Sequence, residues 1–142
     1  MRRTALVAGI FALGLTVAVT GLSAQGKEID YDAVMKKVGP AFGGLRKSIE
    51  AMDATVAKEN TAVLKTAFAD VEKFWEARGK HDAHQWASDA RKALDSIDTA
   101  LAGSKWDEVK ASAGNLGKTC QTCHTAYREK AEDGTFRMKP GN

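Results

Sequence analysis

Apolar residues recur at steps of three and four along four successive segments, the spacing that puts side chains on one face of a helix. We expect helices over 30–53, from an N-cap at Asn60 to about Gly79, over 82–102, and from an N-cap at Ser104 to about Tyr127. The inner stripes are Met35, Val38, Phe42, Leu45, Ile49 and Met52; Leu64, Phe68, Val71 and Trp75; Trp86, Ala90, Leu94, Ile97 and Leu101; and Trp106, Val109, Ala113, Leu116, Cys120, Cys123 and Tyr127.

Four amphipathic helices with short connections predict an all-α, antiparallel up-down-up-down four-helix bundle. Gly39-Pro40 interrupts the first segment, so we expect a kink there or a short first helix before proline. No stretch alternates apolar and polar residues in the way that is typical of a β-strand. The tail 133–142 combines glycine, proline and charge, and we expect it to be loose.

The N-terminus has the order of a secretory signal peptide. Arg2-Arg3 precedes an uncharged apolar run over 5–20, and Leu22-Ser23-Ala24 ends in small residues. We therefore expect a signal peptide over 1–24 and one domain over 25–142. The alternative is an uncleaved membrane anchor, but the run is shorter than the ~20 apolar residues that span a bilayer.

The charge balance narrows the range of partners. The whole chain carries a net charge of +3, and loss of Arg2 and Arg3 with the signal peptide leaves +1. A nearly neutral domain lacks the basic surface of a nucleic-acid-binding protein. No stretch after residue 24 is apolar enough to span a membrane.

Both cysteines of the chain lie in the motif Cys120-Gln-Thr-Cys123-His124. On a helix, these i, i+3 and i+4 positions share one face. C-x-x-C-H is the attachment signature of a c-type haem, in which the thiols bind the haem covalently and histidine ligates the iron. The alternative is a redox or structural cysteine pair. A thioredoxin-like site would need a βαβ pattern, which is missing, and a disulfide would close only a very small loop.

A haem motif near the C-terminus of a four-helix chain, continued by Tyr127-Arg128, resembles the cytochrome c′ (class II cytochrome c) family. In class I cytochromes c the motif lies near the N-terminus instead. Phe74-Trp75-Glu76 is similar to the family's tryptophan-bearing segment. Met35-Lys36-Lys37 fits the segment from which low-spin members take a methionine ligand. The chain departs from the family at His81 and at Gly39-Pro40.

The resemblance implies one covalent haem c, with Cys120 and Cys123 as tethers and His124 as the proximal iron ligand. Met35 is the candidate distal ligand, because antiparallel packing puts it level with His124. Met52, roughly 25 Å further along the same helix, is out of reach. The alternatives are that Met35 only fills the core, or that a histidine provides the distal ligand; the two candidates are His81 and His84.

Three further residues are candidates for contact with the haem. Arg128 would screen the buried haem or orient the imidazole; otherwise it is a solvated residue favoured by the helix C-terminus. Trp75 and Trp86 are expected near the porphyrin as core aromatics.

The leading function is therefore periplasmic electron transfer through His/Met-ligated iron, with redox partner proteins of unknown identity and no enzymatic activity. The alternative is a five-coordinate haem that binds NO or CO at an apolar distal site. A haem-free structural or chaperone bundle would leave the motif unexplained, and a peroxidase would need a distal histidine–arginine pair. The family also implies a homodimer through the outer faces of the first two segments, where Lys36, Lys37, Lys47 and Lys58 must be accommodated.

Overall fold

Four helices follow one another with turns of three residues between them. The computed structural model describes residues 29–141, so the predicted signal peptide lies outside the described residues. The elements are α1 (Tyr31–Glu50), α2 (Ala54–Ala77), α3 (His81–Ala102) and α4 (Trp106–Tyr127), then the strands β1 (Arg128–Lys130) and β2 (Phe136–Met138).

Each helix packs against the next along its length, whereas α1 and α4 make few contacts with each other. The predicted all-α, up-down-up-down four-helix bundle is confirmed, and one of its four sides is left partly open. Within the described part of the chain, no helix has both the length and the apolar character needed to cross a membrane.

The core follows the predicted stripes at most positions. Its largest fully buried side chains are Leu45, Leu64, Trp75, Leu94, Ile97, Val109 and Leu116, together with Thr61. The Thr61 hydroxyl donates to the Ala57 carbonyl at 2.8 Å, which satisfies it inside the bundle.

Met52 is not part of the core. It was predicted to end the stripe of the first segment, but α1 ends at Glu50 and the Met52 side chain is 59% exposed. Met52 lies in the turn to α2 with a φ of 53°, so the helical period no longer determines where its side chain points.

The three interhelical turns have the same hydrogen-bonding pattern, the Schellman motif. After α1, the Asp53 amide donates to the Ser48 carbonyl at 2.9 Å and the Met52 amide to the Ile49 carbonyl at 3.2 Å. The equivalent left-handed residues after α2 and α3 are Gly79 and Ser104, with φ of 63° and 54°. Only the second of the three turns has the glycine that this conformation favours.

Glycine at the other two turns should therefore stabilise the protein. A left-handed L-residue costs about 1–2 kcal/mol, and the extra freedom of glycine in the unfolded chain offsets part of the gain. We expect Met52→Gly and Ser104→Gly each to raise the free energy of unfolding by about 0.5–1 kcal/mol in urea denaturation. Gly79→Ala is the matched control and should lower it. A loss of stability in both glycine variants would contradict this account of the turns.

The predicted starts of α2 and α4 are wrong. Helix α2 begins at Ala54 because the Asp53 carboxylate accepts from the amides of Thr55 and Val56, both at 3.1 Å. Asn60 lies inside α2, and its side-chain amide donates to the Val56 carbonyl at 2.8 Å.

Helix α4 takes Lys105 rather than Ser104 as its N-cap residue, and no side-chain hydrogen bond caps it. Ser104 instead has the left-handed backbone conformation of the turn that ends α3, and its amide donates to the Leu101 carbonyl at 3.2 Å. A serine in that turn cannot also adopt the extended backbone that N-capping needs.

Pro40 does not end α1, so of the two expected effects of this proline, a kink or a short first helix, the short first helix is wrong. The helix runs from Tyr31 to Glu50 through the proline. Pro40 and Lys36 both lie on the exposed side of α1. Because proline has no amide hydrogen, the Lys36 carbonyl lacks the donor that it would otherwise have four residues later. Water can therefore solvate that carbonyl, which makes proline tolerable here.

The tail is more ordered than predicted. Phe136–Met138 forms β2, which pairs antiparallel with β1 in the register Arg128↔Met138. The Asp133 carboxylate holds the turn by accepting from the amide and hydroxyl of Thr135 at 2.9 and 2.6 Å. These local hydrogen bonds order the segment despite the glycine, proline and charge on which the expectation of a loose tail was based.

Candidate functional site

The open side of the bundle forms a cleft of about 780 Å³ between α1 and α4. This volume lies within the range of about 300–1,000 Å³ that is usual for small-molecule and cofactor sites. Near one end of the cleft the two helices pack closely at Gly117 of α4. A Cβ added to this glycine would lie only 3.4 Å from the Phe42 ring of α1. Toward the end of α4 the cleft lies between residues 31–42 of α1 and residues 120–127 of α4.

The three motif residues line this cleft from the α4 side. Cys120, Cys123 and His124 are half-buried, and both cysteines are free thiols. They share one face of α4 because the helix is regular through the motif, as the i, i+3, i+4 spacing requires.

Helix α1 provides the opposite wall. Its lining residues are Tyr31, Met35, Val38 and Phe42, with Gly39 leaving space between them. Met35 is half-buried and packs against the core, and it faces the same cleft as His124. Met35 and His124 therefore line opposite walls of one cleft.

Helices α2 and α3 close the inner end of the cleft. A small cavity of about 30 Å³ is lined by Met35, Cys120, Cys123 and His124 and also by residues of the other two helices. These are Phe68, Val71, Ala83, Trp86 and Ala87. All four helices thus contribute to one largely apolar site.

Burial favours the neutral forms of the two thiols, the Tyr31 phenol and the His124 imidazole. It raises the pKa of Cys120 to about 11 and also raises the pKa values of Cys123 and Tyr31. Burial lowers the pKa of His124, and the nearby positive charge of Arg128 lowers it further. Near pH 7 the cleft therefore presents two thiols, a phenol and an imidazole, all uncharged.

Trp75 lies behind the cleft and does not line it. It is fully buried, and its ring packs against Tyr31 at 5.4 Å and Tyr127 at 4.6 Å between centroids. Tyr31 and Tyr127 both line the cleft, so Trp75 supports the cleft wall from behind through these two rings.

Tyr127 fixes the end of α4 against the start of α3. Its hydroxyl donates to the Asp82 carboxylate at 2.6 Å, and its ring lies 6.2 Å from that of Trp86. This hydrogen bond lowers the pKa of Asp82 and raises the pKa of Tyr127 to about 12. The contact fixes the helical turn that follows His124.

Arg128 lies on the rim of the cleft as the first residue of β1, just beyond α4. Its guanidinium carbon is 4.1 Å from the centroid of the Phe136 ring. Lys36 and Arg137 also line the rim, and they pair with Asp32 and Glu129.

The two alternative histidines do not line the cleft. His81 is exposed as the first residue of α3. The His84 Nε2 lies 3.8 Å from a carboxylate oxygen of Glu72, a residue of α2 outside the cleft lining. Neither is brought near His124 by the cleft walls.

Reasoning from the sequence missed several cleft residues, among them the large side chains of Tyr31, Phe136 and Met138. Tyr31 is the first residue of α1 and lies four residues before Met35, so extending the stripe by one step would have found it. Phe136 and Met138 follow the pair Asp133-Gly134, a dipeptide typical of hairpin turns, and that pair was the signal that could have found them.

No model of a known protein family matches this chain, and no curated protein matches it. The assignment of function consequently depends on the chemistry of the cleft.

Proposed function

We propose that this chain is an exported c-type cytochrome that carries one covalently bound haem and transfers electrons without transforming a substrate. It would be a member of the cytochrome c′ type, with Cys120 and Cys123 as tethers. His124 would be the proximal ligand and Met35 the distal ligand.

The observation that carries the proposal is that these four side chains line the same apolar cleft. Two free thiols and an imidazole on one face of α4 match the attachment chemistry of haem c. The cleft also has room for a cofactor.

The side chains that could ligate a metal in the cleft also favour an iron that is already held by a macrocycle, as in haem. Within residues 29–141, no group of three or more His, Cys, Asp or Glu side chains could hold a metal ion. His124 offers one nitrogen and Met35 one sulfur, and the two would be the protein ligands of a haem iron.

Each side chain then has a distinct role. When bound, the haem supplies an iron that exchanges one electron between its ferric and ferrous states. Cys120 and Cys123 would hold the haem to α4, and His124 would present a neutral imidazole from the same helix. Met35 would ligate the iron from α1, and a thioether ligand favours the reduced state more than a second imidazole does.

A five-coordinate haem that binds NO or CO is the second candidate. It is favoured by the apolar surroundings of Met35, which include Val38, Phe68 and Val71. In that case Met35 would only pack over the distal face and leave room for a small uncharged ligand.

Location and partners are part of the same proposal. Residues 1–24 would direct export to the periplasm, where redox proteins would exchange electrons with the haem. A homodimer would use the outer faces of α1 and α2. Met52, Val56 and Val63, on α2 or in the turn before it, are exposed large apolar residues and support that surface.

The optical spectrum of protein exported from cells that attach haem c tests the proposal. Haem that stays with the chain on a denaturing gel, together with a low-spin ferric spectrum, is the expected result. A high-spin ferric spectrum would decide for the gas-binding alternative, and a chain without haem would contradict both.

A further inference from the structure

The C-terminal hairpin, residues 128–138, is attached to the end of α4 by directional contacts. The Lys139 amide donates to the Tyr127 carbonyl, and the Lys139 Nζ donates to the Thr125 carbonyl, both at 2.9 Å. Across the strands, the Arg137 Nε lies 2.9 Å from a carboxylate oxygen of Glu129. These contacts hold the hairpin in one position beside the cleft.

Two apolar side chains of β2 face the open part of the cleft. Phe136 and Met138 are two residues apart, so they project to the same face of the strand. Both line the cleft with His124 and Met35. Met138 is half-buried and packs against the core, whereas Phe136 is 58% exposed.

The exposure of Phe136 has no explanation in the bundle itself. A large aromatic side chain gains stability from burial, yet its contact with the Arg128 guanidinium covers only part of the ring. An apolar ligand in the cleft would cover the rest.

We propose that the C-terminal hairpin is part of the haem site, and that Phe136 and Met138 cover the haem on the open side between α1 and α4. This rests on the proposed function, because the occupant of the cleft is the haem itself. The two side chains exclude water from the haem and restrict the access of small ligands. Less water around the iron disfavours the more charged ferric state, so the cover raises the reduction potential.

The test uses exported holoprotein with Phe136→Ala, Met138→Ala and both changes together. We expect the double variant to keep its haem and to have a lower reduction potential. In the ferric state it should bind imidazole at least about tenfold faster, which corresponds to a barrier that is ~1.4 kcal/mol lower. Ser96→Ala and Thr99→Ala are the controls, since both residues are uncharged, exposed on α3 and do not line the cleft. They should leave both quantities unchanged.

A second readout does not depend on the redox behaviour of the haem. Amide hydrogen exchange at Lys139 and Ala131 should be slower in wild-type holoprotein than in the Phe136→Ala, Met138→Ala holoprotein. Peptides from α2 and α3 report whether the bundle stays folded. Equal exchange at the hairpin in the two proteins would count against the cover.

The outcomes separate this proposal from the proposed function. Wild-type protein without covalent haem would refute the function. Wild-type protein with haem, together with a double variant that matches the controls in potential and imidazole rate, would refute only the role of the hairpin. A Met138→Ala variant that turns a low-spin wild type into a high-spin protein would also overturn the proposal, because Met138 would then be an iron ligand.

Discussion

Replacing both cysteines, Cys120→Ala with Cys123→Ala, will abolish covalent haem attachment. The two thiols are the only cysteines in the chain, and both line the cleft beside His124. Without them no thioether bond can form, and the haem would depend on axial ligation and packing alone. Haem staining after denaturing electrophoresis measures the effect, and we expect the signal to disappear completely.

The control for this variant lies between the two cysteines. Gln121 and Thr122 are exposed, and Gln121→Ala with Thr122→Ala keeps the C-x-x-C-H spacing. This control should bind one haem as the wild type does. If the cysteine double variant retained haem through denaturation, attachment would involve another residue and the assignment of the motif would be wrong.

Met35→Ala will convert a low-spin ferric protein into a high-spin one. Met35 lines the cleft from α1, opposite the helix that carries His124, and alanine cannot reach the iron. The absorption spectrum should lose the weak near-infrared band of sulfur–iron ligation. Affinity for carbon monoxide in the ferrous state should rise at least about tenfold, or ~1.4 kcal/mol, and the reduction potential should shift.

Met52→Ala is the matched methionine control. Met52 is 59% exposed in the turn after α1 and does not line the cleft, so its replacement should leave the spectrum unchanged. A wild-type ferric protein that is already high-spin would support gas binding. A low-spin protein that Met35→Ala leaves unchanged would require another distal ligand, and Met138 lines the same cleft.

The sequence was sufficient to predict the bundle because its helices are long and strongly periodic. The buried stripe positions of α3, among them Ala90, Leu94 and Ile97, occur where a 3.6-residue period puts them. The ends of the helices were harder, because several side chains compete to be the cap. Asp53 and Asn60 are both good N-cap residues, and only the turn that follows α1 selects Asp53.

The residues of the candidate site also fall into those that the sequence pattern predicts and those that it does not. Cys120, Cys123 and His124 are adjacent in sequence, so helical geometry alone brings them together, and the stripe of α1 was enough to find Met35. The hairpin residues Phe136 and Met138 come from strands of three residues, too short for a periodic pattern. Their position depends on the contacts of Lys139 with the end of α4, which no local pattern in the sequence encodes.

Intact-mass measurement of the wild-type chain, exported from cells that attach haem c, tests the central claim most directly. The account predicts a protein that begins at Gln25 and is heavier than the bare chain by the mass of one haem. It also predicts that a tryptic peptide containing Cys120 and Cys123 carries that added mass. A mature chain of unmodified mass with two free thiols would contradict the account.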